Sequence, residues 1–346
     1  MSKSKSWTST GPTAASAGAR WGRVGLLVAI ALAVALFSLF SGSADLGVGH
    51  TLQALFGGAD AATRSIVIDL RLPRLAAGFA VGGLLALAGV LLQALFRNSL
   101  ADPYVLGVSG GAAIGAIIAM TLGAAMLIVQ TAAVCGAFGA MLGVYVLARG
   151  GSTARLLLVG VAVASACGAL VSVLLSAADA ARLKGMLFWL AGDLEWAGTP
   201  LASLLVALVA VAGAVLLARP LNVLAAGELR ARSVGLELDA WRLAVYLVAA
   251  VLTAVAVMSA GMIGFVGLIT PHTVRVLFHT SDHRLVAPVS ALLGGTLLAA
   301  ADLIARTATS PRQLPVGAIT ALVGAPLFIV LVRSAAHGAW NSGVKE

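Results

Sequence analysis

Apolar residues in this chain fall in long runs, not in alternation. Ten runs are of a length to cross a bilayer as helices, each near the ~20 residues that the hydrocarbon core demands: 24–40, 75–96, 105–122, 126–148, 156–178, 201–218, 243–260, 263–278, 285–304 and 316–332. Strand-like alternation is absent, so helices, not a barrel, satisfy the backbone. Two divisions need argument. No charge occurs between Asp102 and Arg149, which leaves room for two crossings with a turn near Gly123. Between Arg242 and Arg275 lie only 32 uncharged residues, too few for two full spans. One of that pair is therefore short or broken, and Gly261, Gly264, Gly267 and Pro271 supply the break. Such breaks need protein or a water-filled cavity over the freed backbone, which predicts a pathway or a packed interface beside them.

The predicted fold is all-α: one ten-helix membrane domain over 24–333, a disordered basic tail over 1–23 and a second tail over 334–346. A cleaved signal peptide is the rival reading of the N-terminus, but no small-x-small site precedes a soluble domain. Counting Lys and Arg places both termini in the cytoplasm, with fifteen basic residues inside and seven outside, in keeping with the positive-inside bias. The outside seven are Arg64, Arg71, Arg74, Arg182, Lys184, Arg306 and Arg312.

Three connections are more than turns. The external 45–69 segment holds an amphipathic piece, VGHTLQALFG. The external 179–199 segment carries Trp189 and Trp196, residue types suited to a membrane interface. The cytoplasmic 220–241 segment predicts two short helices separated at Gly235, with Leu224, Leu229 and Val234 available to another protein.

Composition agrees: 60% of residues are hydrophobic and 10% charged, against roughly a quarter charged in soluble domains. The net charge of +9 comes without a basic stripe interleaved with aromatics, so nucleic acid is not an expected partner and the lipid membrane is. Cys135 and Cys167 lie in apolar runs and read as buried thiols with no disulfide or metal role. The four lysines, Lys3, Lys5, Lys184 and Lys345, fit no phosphate-binding loop, so the chain is no ATPase or other enzyme. No metal site is expected; Ser281-Asp282 between His279 and His283 reads as a turn. Asp302 is the clear intramembrane acid, and its spacing to Arg306 predicts an i,i+4 pair. The forty glycines fit closely packed helices.

Six ordered blocks then carry a resemblance. Leu70-Arg71-Leu72-Pro73-Arg74, the 93–103 stretch QALFRNSLADP and the 106–111 stretch LGVSGG are similar to permease subunits of ABC importers for ferric siderophores, haem and cobalamin. So are the 264–272 stretch GFVGLITPH, Asp282-His283-Arg284 with the 301–306 stretch ADLIAR, and Leu314-Pro315-Val316-Gly317 with Gly324-Ala325-Pro326. The resemblance implies a type II importer like the cobalamin permease, in a bacterial inner membrane. It implies a homodimer with two ABC ATPase subunits, which bind ATP and Mg, and a periplasmic substrate-binding protein. The permease holds no permanent cofactor, and haem or another iron chelate is the expected cargo, with a siderophore or cobalamin as alternatives. Carried over by position, the binding-protein docking arginines are Arg71, Arg74 and Arg306. The cytoplasmic gate is Asn98, Leu100, Ser152 and Thr153. ATPase coupling helices fall on 221–238, with Leu221, Glu228, Arg232, Gly235 and Leu238. Two positions depart from the family's habit: Ser99 stands where Pro is common, and Asp193 where a Trp-x-x-Gly segment usually continues with Ser. An ion-gradient-driven secondary transporter and a non-transporting scaffold are the rival classes.

Overall fold

The computed structural model describes residues 14–42, 46–149, 153–198, 200–310 and 312–342. Fifteen α-helices run in order: α1 (Ala14–Phe40), α2 (Val48–Phe56), α3 (Ala61–Arg64), α4 (Leu72–Phe96), α5 (Val108–Thr121), α6 (Met126–Ala148), α7 (Thr153–Ser176) and α8 (Ala180–Ala191). There follow α9 (Leu201–Leu216), α10 (Ala218–Ala225), α11 (Glu228–Ser233), α12 (Leu238–Ala260), α13 (Val266–Phe278), α14 (His283–Thr307) and α15 (Val316–Ser342). Among the described residues six helices are long and apolar enough to cross a membrane, and α9 with α10, bent by 69°, makes a seventh if the pair is taken as one span. The three predicted spans left over are the shorter apolar helices Val108–Thr121, Val266–Phe278 and Val316–Val330. Each of the ten predicted runs is thus helical.

The helix boundaries differ from expectation at both termini. Helix α1 begins ten residues before the predicted span, inside the segment read as a tail, and the Arg23 guanidinium donates to the Leu277 carbonyl. Only glycines, no proline, interrupt 14–23, so nothing there stops helix propagation. Helix α15 likewise continues to Ser342, past the predicted boundary.

The short member of the 243–278 pair is α13. Its 13 residues rise only about 20 Å at ~1.5 Å each. The break before it uses left-handed backbone at Gly261 (φ 68°) and Phe265 (φ 70°). Its freed backbone groups are covered by protein: the Ile263 N–H donates to the Tyr104 hydroxyl oxygen at 2.7 Å, and the Ala260 carbonyl accepts from the Asp193 N–H at 2.9 Å. Of the two alternatives for this break, a packed interface is the one observed.

Helix α4 forms the centre. Within its span 89% of the apolar window is buried, against 6% for α7. Small residues make this possible, because a Cβ added at Gly89 would stand 1.9 Å from the Gly267 carbonyl oxygen, and one at Gly82 2.3 Å from that of Gly294. With no lipid-driven hydrophobic force between helices, such close backbone approach is what holds them. Three sequence readings are corrected here. Trp189 is fully buried instead of lying at a membrane interface, since α8 folds back onto the α12–α13 break. Cys135 is exposed on α6, and Cys167 is only half-buried on α7, where it packs against Gly110 of α5. Leu224 is buried because α10 packs its apolar side onto α4 and α14.

Candidate functional site

Two polar clusters lie at the two ends of α4. At the first, a π-helical turn, Ser65–Arg71, runs directly into α4, with Pro73 in its first turn, where a missing N–H costs nothing. Arg71 and Arg74, three apart, therefore share one side of the helix. Arg74 uses every face of its guanidinium. Nε donates to Asp302 at 2.7 Å, one terminal nitrogen to Asp193 at 2.9 Å and the other to Gln313 at 3.1 Å. Asp302 also accepts from Arg306 Nε at 2.8 Å, the predicted i,i+4 pair. Arg306 reaches on to the Ser38 hydroxyl at 2.8 Å, and Arg71 to the Leu39 carbonyl at 2.7 Å. The structure thus gathers Arg71, Arg74 and Arg306, far apart in sequence, around one cleft of about 570 Å³ whose walls include Asp69, Glu195 and Gln313. All three side chains are largely buried and internally bonded, and all three line that cleft.

Asp193 is the residue that sequence reasoning left open between a solvated cap and a contact. It does cap a 3₁₀ turn, Leu194–Ala197, accepting from the Glu195 N–H at 2.9 Å, but it is only 2% exposed. Burial pushes its carboxyl above the usual range, against the opposing pull of Arg74.

At the opposite end, Arg97 ends α4 in left-handed backbone (φ 49°). The Asn98 side-chain oxygen accepts from the Leu100 N–H at 2.9 Å, and its carbonyl from the Ala101 N–H at 3.1 Å. These bonds fix the turn with Ser99 at its exposed tip, so no proline is needed for its shape. Leu100 is 48% exposed. Of the other two predicted gate residues, Ser152 lies outside the described residues and Thr153 opens α7.

The 221–238 segment forms two short helices, α10 and α11, but they part at Gly227 (φ 111°), and Gly235 (φ 74°) closes the second. The break falls there because Gly227 adopts backbone that an L side chain rarely enters. Leu221 and Leu238 are buried anchors, Arg232 is exposed, and Glu228 pairs with Arg242 at the start of α12. Leu229 and Val234 remain 90% and 62% exposed.

Residues 28–334 match the FecCD transport family. The chain belongs to that family. It is 44% identical over 306 residues to the cobalamin import system permease protein BtuC of Halobacterium salinarum, covering 86% of this chain and 79% of that one. It is 38% identical to the vitamin B12 import system permease protein BtuC of Klebsiella pneumoniae, covering 90% and 94%. Among solved structures, an inward-facing metal-chelate type ABC transporter superposes with a TM-score of 0.80 at 31% identity, covering 89% of this chain and 97% of that one. PsaBC from Streptococcus pneumoniae, 17% identical with a TM-score of 0.56, shares the fold.

In this FecCD permease the polar bonds that join the Asn98 end to neighbouring helices were not read from sequence, although Gln93, Asp282 and His283 lie in the blocks that carried the resemblance. Asn222 on α10 donates to Asp282 at 2.8 Å and accepts from the His283 N–H at 3.0 Å, which ties the first short helix to the start of α14. Gln93 accepts from Arg275 and donates to the Gly267 and Leu268 carbonyls at 3.3 and 3.2 Å. Together these groups line a second cleft of about 610 Å³ beside Arg97 and Asn98. The available signal was a Gln within an apolar run, since a lone amide there needs partners.

Proposed function

We infer that the chain works as a multi-pass permease subunit of an ABC importer, a transport component and not a catalytic one. We propose that it moves a cobalt corrinoid of the cobalamin class into the cytoplasm across the inner membrane of a bacterium, and not the haem or siderophore expected from sequence. The observation that carries this is 44% and 38% identity, over most of both chains, to permeases whose names specify cobalamin or vitamin B12. In this reading the Arg71 end of α4 faces the periplasm, the Asn98 end and both termini face the cytoplasm, and two copies form the working unit. The exposed face of α7, 6% buried within the chain, supports a homodimer with a pathway between the copies. Arg71, Arg74 and Arg306 receive acidic residues of a periplasmic binding protein through their cleft. Asn98, Leu100, Ser152 and Thr153 form the inner gate. Leu221, Glu228, Arg232, Gly235 and Leu238 shape the surface that an ATPase subunit grips, with Leu229 and Val234 as its exposed apolar contacts. ATP and Mg belong to that partner, whose cycle moves the short helices while the gates alternate.

The test is uptake by liposomes holding the permease co-purified with its ATPase and binding protein, offered cyanocobalamin or haemin. ATP-dependent accumulation of cyanocobalamin alone is expected. Accumulation of haemin with none of the corrinoid overturns the cargo. Uptake without any ATPase, tracking a proton or sodium gradient, overturns the ABC mechanism.

A further inference from the structure

The pairing of charges at the Arg71 end bears on the role of Asp193. Three largely buried cations, Arg71, Arg74 and Arg306, stand beside two buried anions, Asp302 and Asp193; Asp302 is shared by Arg74 and Arg306, and Arg71 donates to the Leu39 carbonyl. Asp193 is therefore the charge that completes the neutralisation of Arg74, at 2.9 Å. Unlike Asp302, which is fixed in α14, Asp193 belongs to the connection that carries α8 and the following 3₁₀ turn. Its side chain ties that connection to α4, and its N–H ties it to the Ala260 carbonyl at the α12–α13 break. The cleft that exposes Arg74 is walled on one side by Leu194, Glu195 and Ala197 of the same connection. A carboxylate entering the cleft meets the guanidinium that Asp193 already holds.

We propose that Asp193 is an internal stand-in for a partner's carboxylate. It clamps residues 180–197 to α4 in the undocked permease, and an acidic side chain of the docking protein takes its place on Arg74 and releases that segment. The inference rests on the docking role given above to Arg71, Arg74 and Arg306. Exchange of one carboxylate for another leaves Arg74 paired throughout, which avoids stranding its charge in a largely buried site, the costly outcome for such a network. Asp193 gains solvation on release, in keeping with a carboxyl whose burial outweighs the attraction of Arg74. Asp193 thus acts as a positioning residue that converts docking into movement of α8.

The experiment is hydrogen exchange on the permease–ATPase complex in nanodiscs, with and without the binding protein that co-purifies with it, for wild type and Asp193→Asn. The Asn retains an acceptor for the Glu195 N–H and removes the charge. Exchange within 180–197 is expected to rise about tenfold in undocked Asp193→Asn, with residues 126–148 unchanged as the internal control. In wild type the same rise is expected on adding binding protein, a measurement that needs no variant to fold. Binding-protein affinity at low salt is expected to increase severalfold in Asp193→Asn, because the internal competitor is gone. Unchanged exchange in the variant, or increased protection of 180–197 on docking in wild type, overturns the clamp. Arg71→Glu, with Asp193 intact, separates the two claims. If it leaves affinity unaltered at low salt, the docking assignment fails, while the exchange of undocked Asp193→Asn still reports on the clamp.

Discussion

Asp302→Asn removes the one carboxylate that two buried guanidinium groups share. In the native network Asp302 is 1% exposed and accepts from Arg74 Nε at 2.7 Å and Arg306 Nε at 2.8 Å. After the substitution Asp193 still pairs with Arg74, whereas among the described residues Arg306 retains neutral acceptors, the Ser38 hydroxyl and the Ser38 and Ser41 carbonyls. Breaking a buried pair from one side costs about 3–5 kcal/mol, mostly as the penalty of the charge left behind. At roughly 2 °C per kcal/mol for a chain of this size, the expected loss is about 6–10 °C in the apparent unfolding temperature in detergent. Asp179→Asn, at an exposed position before α8, is the matched control and should stay within about 0.5 kcal/mol of wild type. The decisive comparison is the double variant Asp302→Asn/Arg306→Gln. It removes the stranded cation and should recover at least half of the loss, a coupling that is measurable because the two groups are in contact. A single variant as stable as wild type, or a double variant in which the two losses simply add, would refute the account of Arg74, Arg306, Asp193 and Asp302 as one coupled network.

Gly89→Val should destabilise by about 3 kcal/mol or more, the upper end for overpacking, because the added Cβ meets the Gly267 backbone at 1.9 Å; Gly139→Val, with open space, should leave the unfolding temperature unchanged. Tyr104→Phe leaves the Ile263 N–H at the α12–α13 break without its acceptor, a loss of about 1–3 kcal/mol to be read by the same unfolding assay. Burial raises the Asp102 carboxyl from 3.8 to about 6, so between those values the folded form holds more protons than the unfolded form; its contribution to stability is full below about pH 4 and disappears as pH rises through 6. The difference in unfolding temperature between wild type and Asp102→Asn, whose amide oxygen still caps the Tyr104 N–H, should therefore change across pH 4–7, and a constant difference would contradict the shift. Leu229→Asp with Val234→Asp alters two exposed positions and should abolish co-purification of the ATPase while leaving permease stability within about 0.5 kcal/mol.

Periodicity and run length were enough to locate ten helical runs and to show that one of the 243–278 pair is short or broken, because crossing length and uncharged stretch length are properties of the chain alone. The i,i+4 pair of Asp302 and Arg306 was legible for the same reason, being local. Long-range pairing was not. Nothing near Asp193 in sequence indicates Arg74, which lies 119 positions away, and a polar residue after a glycine reads locally as a solvated cap. Trp189 misled similarly, since an aromatic at the edge of an apolar run is equally suited to an interface and to a core. The Gly227 break was missed because Gly227 and Gly235 are equivalent as sequence punctuation, and only the packing of Leu221 and Leu224 decides which one opens between the helices.

The departure at position 193 has a structural consequence that a smaller side chain would not reproduce. A serine there would cap the 3₁₀ turn as Asp193 does, but it would leave Arg74 to share Asp302 with Arg306, two cations on one carboxylate. The connection from α8 would then be held through its backbone bonds, the Asp193 N–H to Ala260 and the Gly317 N–H to the Gly192 carbonyl at 2.9 and 3.3 Å. With aspartate, the same connection is also bound electrostatically to the first turn of α4. Because α4 is the buried helix against which α9, α12, α13 and α14 pack, a charge on its first turn reports to the centre of the bundle. Asp193 therefore joins the cleft proposed to receive a partner to the helix that holds the fold together.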